Sequence, residues 1–416
     1  MPQTKLTIDG EKFRINSALT YSELPTCKEK YHGMLMNSRM IQGIFDSKNR
    51  AQFDRFGKTF DPDTNTDDLI AALPAWYAKG LRGITVGMQG GGACFTVRGH
   101  ALENNPYSAD GTVVDPAYLD RLDRLITACD ALGMVVIVSY FYCHNIQHLN
   151  GAQAVLNATK AMSLFLEEKG YTNVIIEIAN EYELMQYGAF PIIREAQGMV
   201  ALIELAKTYA PNIPVGCSLS GGQINAEVCA ASDVVLIHGN GQSRGKLYNL
   251  IRKAHEFAPG RPVVINEDSQ AIGQLAVCAE LATSWGYYNN MTKQEPPCDW
   301  GITKGEDTYF AWRMADMLGI PQEAIAPDEQ YYLQGFEEGY CIGGMRWLRV
   351  ASLYPETIDY VRFYCNDEVY YTAYDESFMV NYTDNWRQDG AAMVAGDVWK
   401  AEVVLRSGQV KELCCE

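Results

Sequence analysis

Asn173-Val-Ile-Ile-Glu-Ile-Ala-Asn-Glu181 and Arg261-Pro-Val-Val-Ile-Asn-Glu-Asp268 share one pattern: an apolar run of strand length that stops on an Asn-Glu pair. Apolar runs without strict alternation suit strands buried on both faces, as in parallel sheets covered by helices. An ionised carboxylate is costly to bury unpaired, so a strand ending this way presents it in a cleft.

Around these two segments the same alternation repeats. Short runs rich in Val, Ile and aromatics are followed by helix-length amphipathic segments with start and stop signals. After an opening hairpin (5–15, turning at Asp9-Gly10), strands are expected at 33–37, 83–88, 134–142, 173–181, 213–218, 233–238, 261–267 and 284–288. The helices between and after them are expected at 66–79, 152–169, 192–209, 225–231, 246–257, 275–283 and 307–318. One further helix is framed by Asp115 as N-cap, Pro116 at the first position and Gly133 as its stop. Eight β-then-α units predict an α/β fold closed as a (β/α)8 TIM barrel. An open doubly wound sheet is the alternative that periodicity leaves standing.

Beyond Pro321 the helical period stops. Short alternating runs at 360–365, 369–373, 378–382 and 399–405, separated by turn residues such as Asn366-Asp367 and Ser407-Gly408, predict a small C-terminal antiparallel β-sandwich of Ig-like type. The expected domains are therefore a barrel over 1–321 and a β-sandwich over 322–416.

Composition narrows the partners. Thirty-four basic against 51 acidic residues leave a net charge of −17, which repels nucleic acid and anionic membrane. No apolar stretch reaches membrane-spanning length. The N-terminus has no apolar h-region, so the expected location is cytoplasmic, or secreted if a signal peptide has been removed. Twelve cysteines, among them Cys94, Cys129, Cys143, Cys217, Cys229 and Cys278 inside expected strands or helices, lack metal-ligand spacing. They read as free apolar thiols, which favours a reducing compartment, with no metal or cofactor.

In a parallel barrel the reactive side chains sit where strands end. That rule selects Asn37 and Arg39 after strand one, and Gln89 after strand two. It selects Tyr140, Tyr142 and His144 from strand three, and Asn180 and Glu181 from strand four. Strand six offers His238 and Asn240, and strand seven Asn266, Glu267 and Asp268. Two carboxylates facing each other across a barrel mouth are what glycoside hydrolysis requires. One protonates the leaving oxygen, and the other attacks the anomeric carbon or activates water. Glu177, in parity with Glu181, reads as an interior charge paired within the barrel. Asp268 reads as a loop carboxylate or hydrogen-bond partner. The glycine run from Gly87 to Gly92 lacks phosphate-loop spacing and reads as a wide loop giving substrate access.

With these residues the chain resembles the clan of retaining barrel glycoside hydrolases that includes the family 5 cellulases and mannanases, over roughly residues 1–320. The resemblance implies a carbohydrate substrate, Glu181 as general acid/base, Glu267 as nucleophile and Asn180 on the sugar 2-hydroxyl. Trp285 would be the aromatic platform under the sugar, with Trp300 competing for that role. His238 and His144 would orient substrate or tune Glu267. Two positions depart from the clan's pattern. Tyr182 follows the strand-four Glu where Pro is usual, and His238-Gly239-Asn240 stands where an aromatic often bonds the nucleophile. Two other functions compete: a non-catalytic carbohydrate-binding protein on a hydrolase-like barrel, and a metal-dependent sugar isomerase or lyase with His144, Glu181, His238 and Glu267 as ligands.

Overall fold

The structure is a computed structural model that describes residues 2–92, 104–381 and 390–415. Cys94, and residue 382 at the end of the run expected at 378–382, lie outside the described residues. The chain opens on an antiparallel sheet of β1 (Leu6–Asp9), β2 (Lys12–Ile15) and β3 (Ala18–Leu19). Strands and helices then alternate: β4 (Asn37–Arg39), α1 (Pro62–Ala78), β5 (Gly83–Gly87), α2 (Pro116–Leu132), β6 (Val135–Phe141), α3 (Gly151–Glu168) and β7 (Val174–Ala179). The alternation continues through α4 (Pro191–Arg194), α5 (Ala196–Tyr209), β8 (Val215–Gly216), α6 (Ala226–Ala231), β9 (Val235–His238), α7 (Arg244–Phe257), β10 (Val263–Glu267) and α8 (Gln274–Leu281). It ends with β11 (Gly286–Tyr287), α9 (Asn290–Lys293) and α10 (Glu306–Met317).

Six of these strands form one parallel sheet in the order β11-β4-β5-β6-β7-β8, and β9 pairs with β10 in parallel. Further bonds join the two sheets. Val264 of β10 bridges Ser284, just before β11, and the Asp233 N–H donates to the Val215 carbonyl at 2.7 Å. The strands are buried along their length, which is why their sequences run apolar without alternation. Among the described residues no helix is long and apolar enough to cross a membrane.

Several boundaries differ from the sequence reading, each for a local reason. Strand one begins at Asn37 rather than Gly33, because the Leu35 and Met36 N–H groups donate to Ser284 Oγ and Tyr21 OH instead of to a neighbouring strand. The first long helix starts at Pro62, capped by Asp61, whose carboxylate accepts the Thr64 N–H. Thr66 lies inside it and turns its hydroxyl to Gly43. The expected helix at 192–209 is two helices, because Glu195 is extended between them. The α2 helix matches its signposts: Asp115 caps it and Gly133 closes it at φ 84.

After α10 the chain is antiparallel. β12 (Tyr331–Gln334) precedes β13 (Cys341–Ile342), β14 (Met345–Arg346) and β15 (Arg349–Ser352), with β15 paired to β12. β16 (Ile358–Cys365), β17 (Glu368–Ala373), β18 (Ala391–Ala392), β19 (Trp399–Leu405) and β20 (Val410–Cys414) follow. A four-stranded sheet runs β17-β16-β19-β20, and β18 joins β13-β14. Val361, Phe363, Trp399 and Val403 share a core with Leu333, Leu348 and Val350 of the β12 and β15 region. Of the run expected as a strand at 378–382, the described residues 378–381 form only an isolated antiparallel bridge, Met379 to Arg349 of β15. Phe378 and Asn381 have positive φ, and the segment is held by Val350 N–H to Phe378 O and Val380 N–H to Leu348 O.

The antiparallel part is tied to the preceding helices by charge. Arg349 pairs with Glu306, which also accepts the Tyr340 hydroxyl at 2.8 Å. Arg313 makes a two-pronged bond to Glu356 at 3.0 Å on each arm. Burial lifts Glu306 to about 7.

Candidate functional site

The strand ends of β4, β7, β9 and β10 converge on a cavity of about 500 Å³, within the range of small-molecule sites. Its wall includes Arg39, Asn180, Glu181, Asn240 and Glu267, with His144, Tyr142 and Cys143 on one side and Tyr288, Asn290 and Gln294 on another. Burial pushes the Cys143 thiol up to about 12, so it is an inert wall element.

The two glutamates face each other. Glu181, His238 and Glu267 each place a ligand atom within 4.8 Å of the other two. His238 stands between them, its Nδ1 3.0 Å from Glu181 Oε1 and 3.9 Å from Glu267 Oε2. Both oxygens of Glu267 are held: Arg39 Nε donates to Oε2 at 2.6 Å, and Asn240 Nδ2 donates to Oε1 at 2.9 Å. A second Arg39 nitrogen donates to Asn180 Oδ1 at 2.6 Å, so one guanidinium aligns members of both Asn-Glu pairs. Burial would lower the basicity of Arg39, but Glu267, Glu177 and Glu181 outweigh it and hold the charge firmly. Burial likewise pulls the His238 imidazole down, yet Glu267 and Glu181 leave it above its ordinary value.

Local backbone explains how these groups meet. Glu181 has φ 51, left-handed geometry that a residue with a Cβ adopts at a cost. Its N–H donates to Ser218 Oγ at 3.3 Å, and that hydroxyl donates to Glu177 at 2.6 Å. Gly239 is required between His238 and Asn240, since a Cβ there would lie 2.2 Å from the Asp268 carboxylate.

The two Asn-Glu pairs are not equivalent. Asn180 lines the cavity, whereas Asn266 is fully buried and donates to Glu177 Oε1 at 2.9 Å. Glu177 is thus an interior carboxylate fixed by hydrogen bonds from Ser218 and Asn266; among the described residues it has no ion pair within bonding distance. Asp268 is also buried. It accepts the Trp285 indole N–H at 2.8 Å, and burial lifts it to about 7.

Four expected binding residues are placed elsewhere. Trp285 is fully buried, edge-on to Phe310 of α10, and so is no platform. Trp300 is buried against α1, with its N–H on the Asn65 carbonyl at 3.0 Å. Gln89 is spent on the backbone of the next loop, donating to Asn145 O and accepting from Tyr142 N. Asn37 is buried beneath the cavity and donates to Ile265 O at 3.1 Å. Two tyrosines line the cavity: Tyr142, which the strand-end rule selected, and Tyr288, with the Arg39 guanidinium 5.8 Å from its ring centre. Tyr288 is the last residue of the expected strand eight, so the strand-end rule would have selected it. Asn290 and Gln294 come from the short α9 and carry no comparable sequence signal. All eleven cysteines within the described residues are free thiols.

No family model matches this sequence, and no curated protein matches it. Solved structures do resemble the fold. A structure described as a glycoside hydrolase aligns over 98% of both chains with TM-score 0.50 and 12% identity. A calcium-binding mutant of Bacteroides uniformis β-glucuronidase 2 covers 99% of this chain at TM-score 0.46 and 10% identity, and this chain spans 47% of its length. The β-mannanase of the blue mussel Mytilus edulis covers 76% of this chain and is itself covered over 97%, at TM-score 0.47 and 10% identity. The first of these shows a fold shared with a glycoside hydrolase, and at that identity it shows the fold alone.

Proposed function

We propose that this protein is a retaining glycoside hydrolase whose strands β4 to β11 close into an eight-stranded barrel. In this reading residues 1–321 form the catalytic unit, and 322–416 form a β domain packed on it. The observation that carries the proposal is that one carboxylate oxygen of Glu181 and one of Glu267 lie within 4.8 Å of each other, beside His238. Two carboxyl groups about 5 to 5.5 Å apart suit double displacement, whereas inversion needs room for a water between more distant groups.

Glu267 is the nucleophile. With one oxygen on the Arg39 guanidinium and the other on an amide N–H, it is fixed in position and aimed. Glu181 gives its proton to the leaving oxygen as the Glu267–C1 bond forms and the C1–O bond breaks. The ionised Glu181 then takes a proton from water, whose oxygen attacks C1 and frees Glu267. Arg39 accounts for the Asn180 carbonyl, so the NH₂ of that amide is the group left for a sugar hydroxyl.

A metal-dependent isomerase is the weaker reading. A buried guanidinium already neutralises Glu267 at 2.6 Å, and a cation there would face Arg39 directly. The test is covalent capture. A 2-deoxy-2-fluoro glycoside with an activated leaving group should add one sugar mass to the peptide containing Glu267, and Glu267→Gln should abolish the addition. Turnover of aryl glycosides at the wild-type rate by Glu267→Gln would reject the assignment.

A further inference from the structure

The glycine run 90–92 and the short helix α9 form a feature that hydrolysis alone does not require. Gln42, fully buried, donates one amide hydrogen to Gly91 O and the other to Gln294 O, both at 2.9 Å. Gln294 donates to Gly92 O at 3.0 Å and accepts from Asn290 Nδ2 at 3.0 Å. Gly90, at φ 63, lets the loop press onto these amides, since a Cβ there would lie 2.1 Å from Asn104 Nδ2 and 2.3 Å from Gln42 Oε1. The loop after β5 and the segment after β11 are therefore stitched together over β4. Gly91, Asn290 and Gln294 face the cavity. The glycine run expected to open access forms part of a wall.

The position of this wall relative to the glutamates gives it meaning, and the argument rests on the hydrolase reading above. The leaving group must lie beside the acid, Glu181, where the lining comes from Leu184, Gln186, Ser220 and Gln223. The sugar attacked by Glu267 then lies toward Arg39, Tyr288, Asn290 and Gln294. We propose that the amide wall ends the cleft on this glycone side, so that one sugar ring fits before Glu267 and single residues are released from the non-reducing end. Amides supply both donors and acceptors without charge, which suits the hydroxyls of a terminal ring.

The experiment follows products with time. The full-length protein is given borohydride-reduced pentasaccharides of glucose, mannose and xylose, together with the matching 4-nitrophenyl monoglycosides. The expected early products are a free monosaccharide and the reduced tetrasaccharide. Gln294→Ala, which cuts the ties to Gly92 and Asn290, should lower kcat/KM on the monoglycoside at least tenfold and begin to release disaccharide. Reduced di- and trisaccharides from interior cleavage by the wild type would overturn the end-stop and leave the hydrolase reading intact. A Gln294→Ala protein with unchanged kinetics and products would also overturn it. No cleavage of any substrate, with no capture on Glu267, would instead remove the hydrolase reading and this inference with it.

Discussion

Two buried charge clusters of this molecule are finished differently. In the first, Lys293 and Asp307 are both fully buried and pair at 2.6 Å. Asp307 also accepts from Tyr287, Asn289 and Thr303, and Lys293 also donates to Thr292, Asp299 O and Gly301 O. Burial works against the Asp307 charge, but Lys293 and these donors hold its carboxyl below the ordinary value. In the second, Arg39, Glu267, His238 and Glu181 are connected but incomplete. Among the described residues Arg39 Nη1, His238 Nε2 and Asn240 Oδ1 have no hydrogen-bond partner. A buried polar group costs stability unless it is satisfied, so a cluster left open on a cavity is kept for something other than stability. The first cluster holds the loop after β11; under the proposed function, the second is the one that meets substrate.

The largest effects should fall on the open cluster and on activity. Glu181→Gln should lower kcat on glycosides with poor leaving groups by roughly 10²–10⁴-fold, the usual range for a general acid. Its effect should shrink on 2,4-dinitrophenyl glycosides, which need no proton. Equal losses on both substrates would move the acid role away from Glu181. Stability should barely change in this variant, since the Glu181 side chain is 19% exposed.

The closed cluster should behave in the opposite way. Lys293→Met leaves Asp307 buried without its cation and should cost about 3–5 kcal/mol in urea unfolding. Arg39→Met should cost less stability and more activity, a loss of kcat of about 10²–10³-fold, because what it strands is Glu267, the proposed nucleophile, on the edge of a cavity. If Arg39→Met were the more destabilising of the two and turned substrate over normally, the division between the clusters would collapse.

A smaller pair of variants separates the two aromatics that follow β10. Trp285→Phe removes the indole N–H from Asp268 and should cost about 1–3 kcal/mol of stability with KM unchanged. Tyr288→Ala should raise KM on aryl glycosides and leave the unfolding midpoint nearly where it was. Sequence pattern could not assign these roles, for a definite reason. Period two says that Trp285 and Tyr287 share one face and Gly286 and Tyr288 the other; it does not say which face is which. Tyr287 stacks on Phe310 of α10 at 4.3 Å, which settles the matter only once α10 is placed. The strand-end rule did reach Arg39, Asn180, Glu181, His238 and Glu267, because a charge closing an apolar run is a local signal. It also picked Asn37 and Gln89, since a polar residue at a strand end looks the same whether it meets substrate or backbone. The amide wall was invisible. Gln42, Asn290 and Gln294 are ordinary polar residues in loops and a one-turn helix, and only contacts across about 250 residues of chain give them a role.

The smallest expected effect is a pH dependence carried by His238. Its imidazole faces Glu181 and Glu267, which favour the proton, and Arg39, which opposes it; burial opposes it most, yet the net direction is upward. A base more readily protonated in the folded state than in the unfolded chain stabilises the fold fully below its ordinary value of about 6.5. That contribution fades as pH climbs through the higher folded value. His238→Gln should therefore be less stable than the wild type at pH 6, and the gap should narrow toward pH 9. Asp268 adds a slope of the same sign, since burial lifts its carboxyl to about 7; His238 pulls that value down, so the Asp268 slopes of the two proteins are similar but do not cancel fully. A gap that widened with pH would mean that His238 is held neutral between the glutamates.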